Sequence, residues 1–182
     1  MKKLFAIFTI LLCSQLLYSQ NILDEKNGFK TIKLNQHKMS FSNLSYFSKE
    51  DSYNIYKYNP DDKDLFNVFN TNMDQIFLYF EAKTDLLQKI EIVKTFIIET
   101  DLYDANATIN FAKTIINNYV SQIGAYDDVL TVDKREYSSV GVKWIGKKVS
   151  LTVKTISFPL TRPTCKEEVR IMYEMNNFST GF

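Results

Sequence analysis

Residues 74–98 leave the fewest options for the fold. Two β-prone apolar runs flank the polar residues 82–85, the pattern of a β-hairpin closed by a short loop. Side chains alternate between faces along a strand. Ile76, Leu78 and Phe80 therefore share one face, continued on the return by Ile90, Ile92 and Phe96 and interrupted by Lys94. Phe77, Tyr79 and Glu81 take the other face with Lys89, Glu91 and Val93. One dry face and one mixed face indicate an antiparallel sheet covered on one side.

The cover is expected from residues 105–123, where the apolar period changes from two to about 3.6. Ala105, Ile109, Ala112, Ile116, Tyr119, Val120 and Ile123 form a stripe on a helical wheel, bordered by Thr108 and Ile115. Asp101 and Asp104 supply capping side chains, and Gly124 stands at the left-handed C-terminal position. The expectation is that Ile109, Ala112, Ile116 and Tyr119 dock on Ile76, Leu78, Ile90 and Ile92. Further strands are expected at 29–34 after Gly28, at 52–58 before the turn at 59–62, and at 65–70. Three more follow the helix, at 137–145, 148–158 and 167–175. Gly146-Lys147 fits a type II′ turn, and the prolines of 159–166 mark a loop. The sum is an α+β fold. It has a curved antiparallel β-sheet of about six to seven strands, with one long helix packed on one face. A cleaved N-terminal signal helix precedes it. No fixed-period repeat, low-complexity tract or linker divides residues 21–182, which are expected to form a single α+β domain.

Residues 1–20 have the layout of a secretory signal peptide: Met1-Lys2-Lys3, an apolar run over 4–12, then a more polar tail. The run is too short to span a bilayer, which takes about 20 apolar residues. Cleavage is expected near Gln20, giving an exported protein, periplasmic or secreted. Cys13 raises a lipoprotein reading, but Leu12 before it is not the small residue that lipid attachment favours. No second segment approaches transmembrane length. Loss of Lys2 and Lys3 takes the formal charge from +1 to −1, which offers no electrostatic footprint for nucleic acid. Cys165 is then the only cysteine, so no internal disulfide is expected.

The sequence offers no cofactor or metal site, and a search for catalysis returns little. None of the five glycines builds a phosphate-cradling loop. One histidine and one remaining cysteine cannot make a Cys/His zinc centre. His37 is read as a surface loop residue, and Cys165 as a packed side chain. Asp61, Asp62 and Asp64 could hold Ca²⁺ weakly, but the glycine and terminal glutamate of a standard calcium loop are missing. They are read as a solvated turn, as Glu50-Asp51 and Glu167-Glu168 are read as solvated edges. The lysines and arginines between Lys134 and Arg170 protect strand faces against aggregation or dock an acidic partner. The aromatic density of residues 41–80 has two readings. It is core packing, or a surface platform in which Tyr46, Tyr53, Tyr56, Tyr58, Phe77 and Tyr79 contact a protein or carbohydrate partner.

Four short stretches carry a resemblance: the leader ending Tyr18-Ser19-Gln20, Gly28-Phe29 leading into Ile32-Lys33-Leu34, the hairpin from Ile76 to Ile92, and Trp144-Ile145-Gly146-Lys147-Lys148-Val149. Together they resemble the short secreted proteins of unknown function common in Bacteroidota. The resemblance implies localisation and fold and transfers no catalytic residue. The function expected is a secreted or periplasmic non-enzymatic binding or interaction module using an aromatic-rich sheet face. The alternatives are a protein-inhibitor or immunity-type domain, and a hydrolase with an unrecognised carboxylate site.

Overall fold

The computed structural model describes residues 22–99, 105–158 and 164–176. The leader, the caps at Asp101 and Asp104, and most of the proline loop lie outside the described residues.

A helical turn at 22–26 leads into two small strands, β1 (Gly28–Phe29) and β2 (Ile32–Lys33). The continuous strand expected at 29–34 is broken because Lys30 adopts a left-handed φ of 51° and reverses the chain. Next come β3 (Leu44–Glu50) and β4 (Tyr53–Tyr58). The strand expected at 65–70 is instead a 3₁₀ turn followed by a tiny hairpin, β5 (Asn67–Val68) and β6 (Thr71–Asn72). Phe69 and Asn70 close that hairpin at positive φ. The predicted hairpin is β7 (Gln75–Glu81) and β8 (Leu87–Glu99), with Ile76 opposite Ile92 and Leu78 opposite Ile90. Helix α1 spans Ala105–Ile123, and Gly124 closes it at φ 104° by donating its N–H to the Val120 carbonyl. Four strands follow: β9 (Asp128–Asp133), β10 (Ser138–Ile145), β11 (Val149–Ser157) and β12 (Thr164–Met175).

Eight strands form one antiparallel sheet in the order β3-β4-β7-β8-β12-β11-β10-β9. The count exceeds the six to seven expected, since the sequence pattern does not predict β3 or β9. Both are edge strands whose residues are largely exposed, so neither carries a strong apolar alternation. The last strand in sequence, β12, pairs with β8 and β11 and lies at the centre of the sheet.

The inner face carries one core in two sections. Over β11 and β12 lies α1. The N-terminal layer and the β5–β6 region add further apolar residues to the same core, including Leu23, Phe29, Ile32, Leu34, Leu65, Val68 and Met73, with Phe29 against Tyr173 of β12. Phe41 packs edge-on against Phe80, and Phe69 against Tyr119. The helix therefore docks mainly on β11 and β12 rather than on the hairpin as expected, and meets the hairpin where Phe111 packs edge-on against Phe96 of β8. It is also rotated by roughly 50°, at about 100° per residue. The residues it buries are Thr108, Ala112, Ile115, Tyr119 and Ile123, while Ile109 and Val120 stay exposed and Ile116 is half-buried. The apolar arc of the helix is wider than the sheet beneath it needs.

Candidate functional site

The surplus apolar residues of α1 border a groove. Its other wall is the inner face of β9 and β10, where Val142 and Trp144 are buried and Val129 and Val140 stay exposed. Val140 lies opposite Thr155, and Val142 lies between Val129 and Val153. The groove encloses about 450 Å³ and is lined by Ile109, Ile116, Tyr126, Val129, Val140 and Val142 among others. Ile109, Val129 and Val140 are 44%, 57% and 56% exposed. Apolar side chains this exposed, gathered around one concavity, differ from the scattered single residues normal on a surface.

The groove also has polar lining. Thr108 is buried, and its Oγ1 has no hydrogen-bond partner among the described residues. A buried hydroxyl left unpaired costs about 1–3 kcal/mol. Glu167 and Ser157, opposite each other on β12 and β11, line the groove too, with Ser157 Oγ donating to Glu167 Oε1 at 3.2 Å. The structure corrects the solvated edge expected of Glu167-Glu168, because both are buried. As neighbours on a strand they point to opposite faces. Glu167 faces the groove, and Glu168 faces Arg170 and Lys166 on the outer face. Nothing in local sequence marks Thr108, Ser157 or Glu167 as neighbours, because three separate elements bring them together.

Trp144 reports on this region. Its ring is buried, its Nε1 donates to the Gly124 carbonyl at 2.9 Å, and Tyr126 of the groove packs edge-on against it at 6.1 Å.

The six aromatics expected to form a platform do not share one face. Tyr46, Tyr56 and Tyr58 occupy the inner side of β3 and β4, where Tyr46 pairs with Tyr56 and Tyr58 with Leu44. Tyr56 and Tyr58 pack against the core. Tyr53, Phe77 and Tyr79 take the outer side. Tyr79 is only 6% exposed, although no second layer of described secondary structure covers it. Its hydroxyl donates to Glu91 Oε2 at 2.5 Å, and Lys89 Nζ lies 4.1 Å from its ring centroid. Exposure is concentrated instead at the β3 edge, on Tyr46 and on Phe47, whose ring packs against Phe77 at 5.0 Å. Phe47 follows Tyr46 to the opposite, outer side by strand alternation, and sits at a bulge between Tyr46 and Ser48.

The outer face owes its closure to charge. Arg170 donates to Glu91 at 2.9 Å and to Glu168 at 2.6 Å. Burial by itself would raise the Glu91 carboxyl. Arg170, then Lys89 and the Tyr79 hydrogen bond, outweigh it and hold the group below the usual carboxylate range. Burial holds the neighbouring Lys154 ammonium below its ordinary value. Gly141, cross-strand from Lys154, leaves room for it: a Cβ there would come within 2.5 Å of both Lys154 Cβ and the Val153 carbonyl oxygen. The most buried carboxylate on this face is thus committed to an arginine and a phenol.

The remaining candidates have structural employment. His37 Nδ1 accepts from the Met39 N–H and caps a 3₁₀ turn. Asp62 caps the next such turn, and Asp61 accepts from Asn43 Nδ2. Cys165 is buried, and burial followed by Glu167 pushes its thiol up. No helix among the described residues is long and apolar enough to cross a membrane. No protein-family model matches the sequence, and comparisons with curated proteins and with solved structures return no match.

Proposed function

We propose that this chain is an exported, non-enzymatic binding module, and that its ligand occupies the groove between α1 and β9–β10. Export rests on the signal-like layout of residues 1–20. The observation that carries the binding reading is the convergence of exposed Ile109, Val129 and Val140 on one concavity beside the unpaired Thr108 hydroxyl. Its volume falls in the range of small-molecule sites, about 300–1,000 Å³. The chemistry favours a small amphipathic molecule. Its apolar body lies along the valines and isoleucines, and a hydroxyl, amide or amine at one end meets Thr108, Ser157 and Glu167.

The probe is N-phenyl-1-naphthylamine, an apolar fluorophore with one N–H. Saturable enhancement at one equivalent, with a parallel change in Trp144 emission, is the expected result. Ile109→Asp puts a charge on the apolar wall at an exposed helical position. It should weaken the probe at least about tenfold without lowering the melting temperature. Unsaturable binding, or the same affinity in the variant, overturns the reading.

A second reading rests on Tyr46 and Phe47, exposed on the open edge strand β3. An inhibitor-type domain would use that edge to add a strand from a partner protein. The Ile109→Asp variant would then keep full partner capture, whereas Phe47→Asp would lose it.

A further inference from the structure

A second concavity, of about 310 Å³, lies where the β1–β2 hairpin and β5 meet the C-terminal half of α1. We propose that it binds a small aromatic oxyanion, a phosphate or carboxylate group carried on a ring, independently of the groove ligand. Lys26, Lys30 and Lys33 line it, and no aspartate or glutamate is among the described lining residues. The ion pairs among the described residues engage Lys38, Lys94, Lys166 and Arg170, and none of these three lysines. Each lysine is held by a neutral acceptor: Lys26 by Gln122 Oε1 at 3.1 Å, Lys33 by the Lys26 carbonyl at 2.6 Å, and Lys30 by the Asp64 carbonyl. An ammonium carries three donors, so each keeps hydrogens for a ligand. Three cations around one concavity, with no carboxylate among its described lining residues, make a site biased towards anions.

The remaining lining supplies the place for a ring. Phe29 and Phe69 flank the pocket, and Phe69 packs edge-on against Tyr119 at 4.8 Å. Tyr119 and Tyr173 join their hydroxyls at 2.8 Å. In such a pair one hydroxyl hydrogen makes the mutual bond and the other is left to donate elsewhere. An anionic group therefore meets the lysine rim and one phenolic donor, while an aromatic body lies against phenylalanine. The site is assembled from the N-terminal layer, the β5–β6 connection, the helix and the central strand β12, so its shape depends on the complete fold.

The experiment titrates the full chain with phenyl phosphate, benzoate, inorganic phosphate and benzyl alcohol, read by calorimetry and by amide shifts of Gly28, Lys30 and Phe69. Phenyl phosphate or benzoate should bind with those amides moving, and benzyl alcohol and inorganic phosphate should bind at least about tenfold more weakly. Which ring anion binds more tightly tells phosphate from carboxylate ligands. Lys30→Gln/Lys33→Gln, at positions outside the core, should weaken the anion by roughly tenfold or more and flatten its salt dependence. The Ile109→Asp groove variant should leave it unchanged, so the two sites fail or stand separately. Failure of both ring anions to bind overturns the proposal, as does anion binding that survives the lysine substitutions. So does inorganic phosphate as tight as phenyl phosphate, or shifts confined to the α1–β10 groove.

Discussion

Glu91 shows how one residue can hold a sheet face that no described helix covers. It is buried in the middle of the outer face, and its charge is tolerated because Arg170 and the Tyr79 hydroxyl meet both carboxylate oxygens. Removing one partner from such a pair leaves a charge stranded, at a cost of about 3–5 kcal/mol. Arg170→Met should therefore destabilise by about 3 kcal/mol in urea melts, and Glu91→Gln/Arg170→Met by less than the sum of the singles. The pH dependence has a definite sign. A carboxyl depressed in the folded state contributes in full above its ordinary value of 4.5 and loses that contribution as pH falls through its lower folded value. The stability gap between wild type and Glu91→Gln should be constant from about pH 7 to 5 and narrow below 4.5. A gap that is unchanged at about pH 3 would mean that the carboxylate is not held by its partners.

Among the elements, α1 carries more apolar surface than the sheet can absorb. The part facing β11 and β12 is core, and the part leaning towards β9 is exposed. Truncation should separate the two. Ile115→Ala removes a fully buried side chain and should cost about 2–5 kcal/mol. Ile109→Ala, on the groove side of the same helix, should cost under about 1 kcal/mol because its side chain is already wet. Chemical melts of the two variants decide it. Equal losses would place Ile109 in the core and remove the apolar wall of the groove.

The chain as a whole is tied by a contact between regions far apart in sequence. Asp24, in the helical turn at 22–26, accepts the backbone N–H groups of Lys147, Lys148 and Val149, at 3.0, 2.8 and 3.1 Å. This fixes the role of Gly146, which does not adopt the left-handed φ of a type II′ turn. Glycine is needed because a Cβ there would lie 2.5 Å from Asp24 Oδ1. Asp24→Ala should cost about 2 kcal/mol, since hydrogen bonds to a charged group contribute about 1.5–3 kcal/mol. It should also raise amide exchange at Leu34 and Val149 ahead of the central strands. Exchange that rises uniformly, or not at all, would show that the N-terminal layer is held by its apolar contacts alone.

Elements with strong local periodicity are legible in the sequence. The β7–β8 hairpin, the 19-residue helix α1 with its Gly124 end, and the alternation of Val140, Val142 and Trp144 all follow from side chains a few residues apart. Local pattern also separates the dry face of the hairpin from its mixed face. It cannot say which neighbour covers the dry face, because Ile76 and Leu78 would be buried equally well by a helix or by an apolar layer of loops and small strands. The rotation of α1, the burial of Glu167 and Glu168, and the division of the six aromatics between two faces were settled by tertiary packing. Both candidate pockets belong with these. Thr108, Glu167 and Val140 come from three elements, and Lys30, Phe69 and Tyr119 come from three separate segments. Burial and charge at such places depend on contacts between distant segments, which no short stretch of sequence encodes.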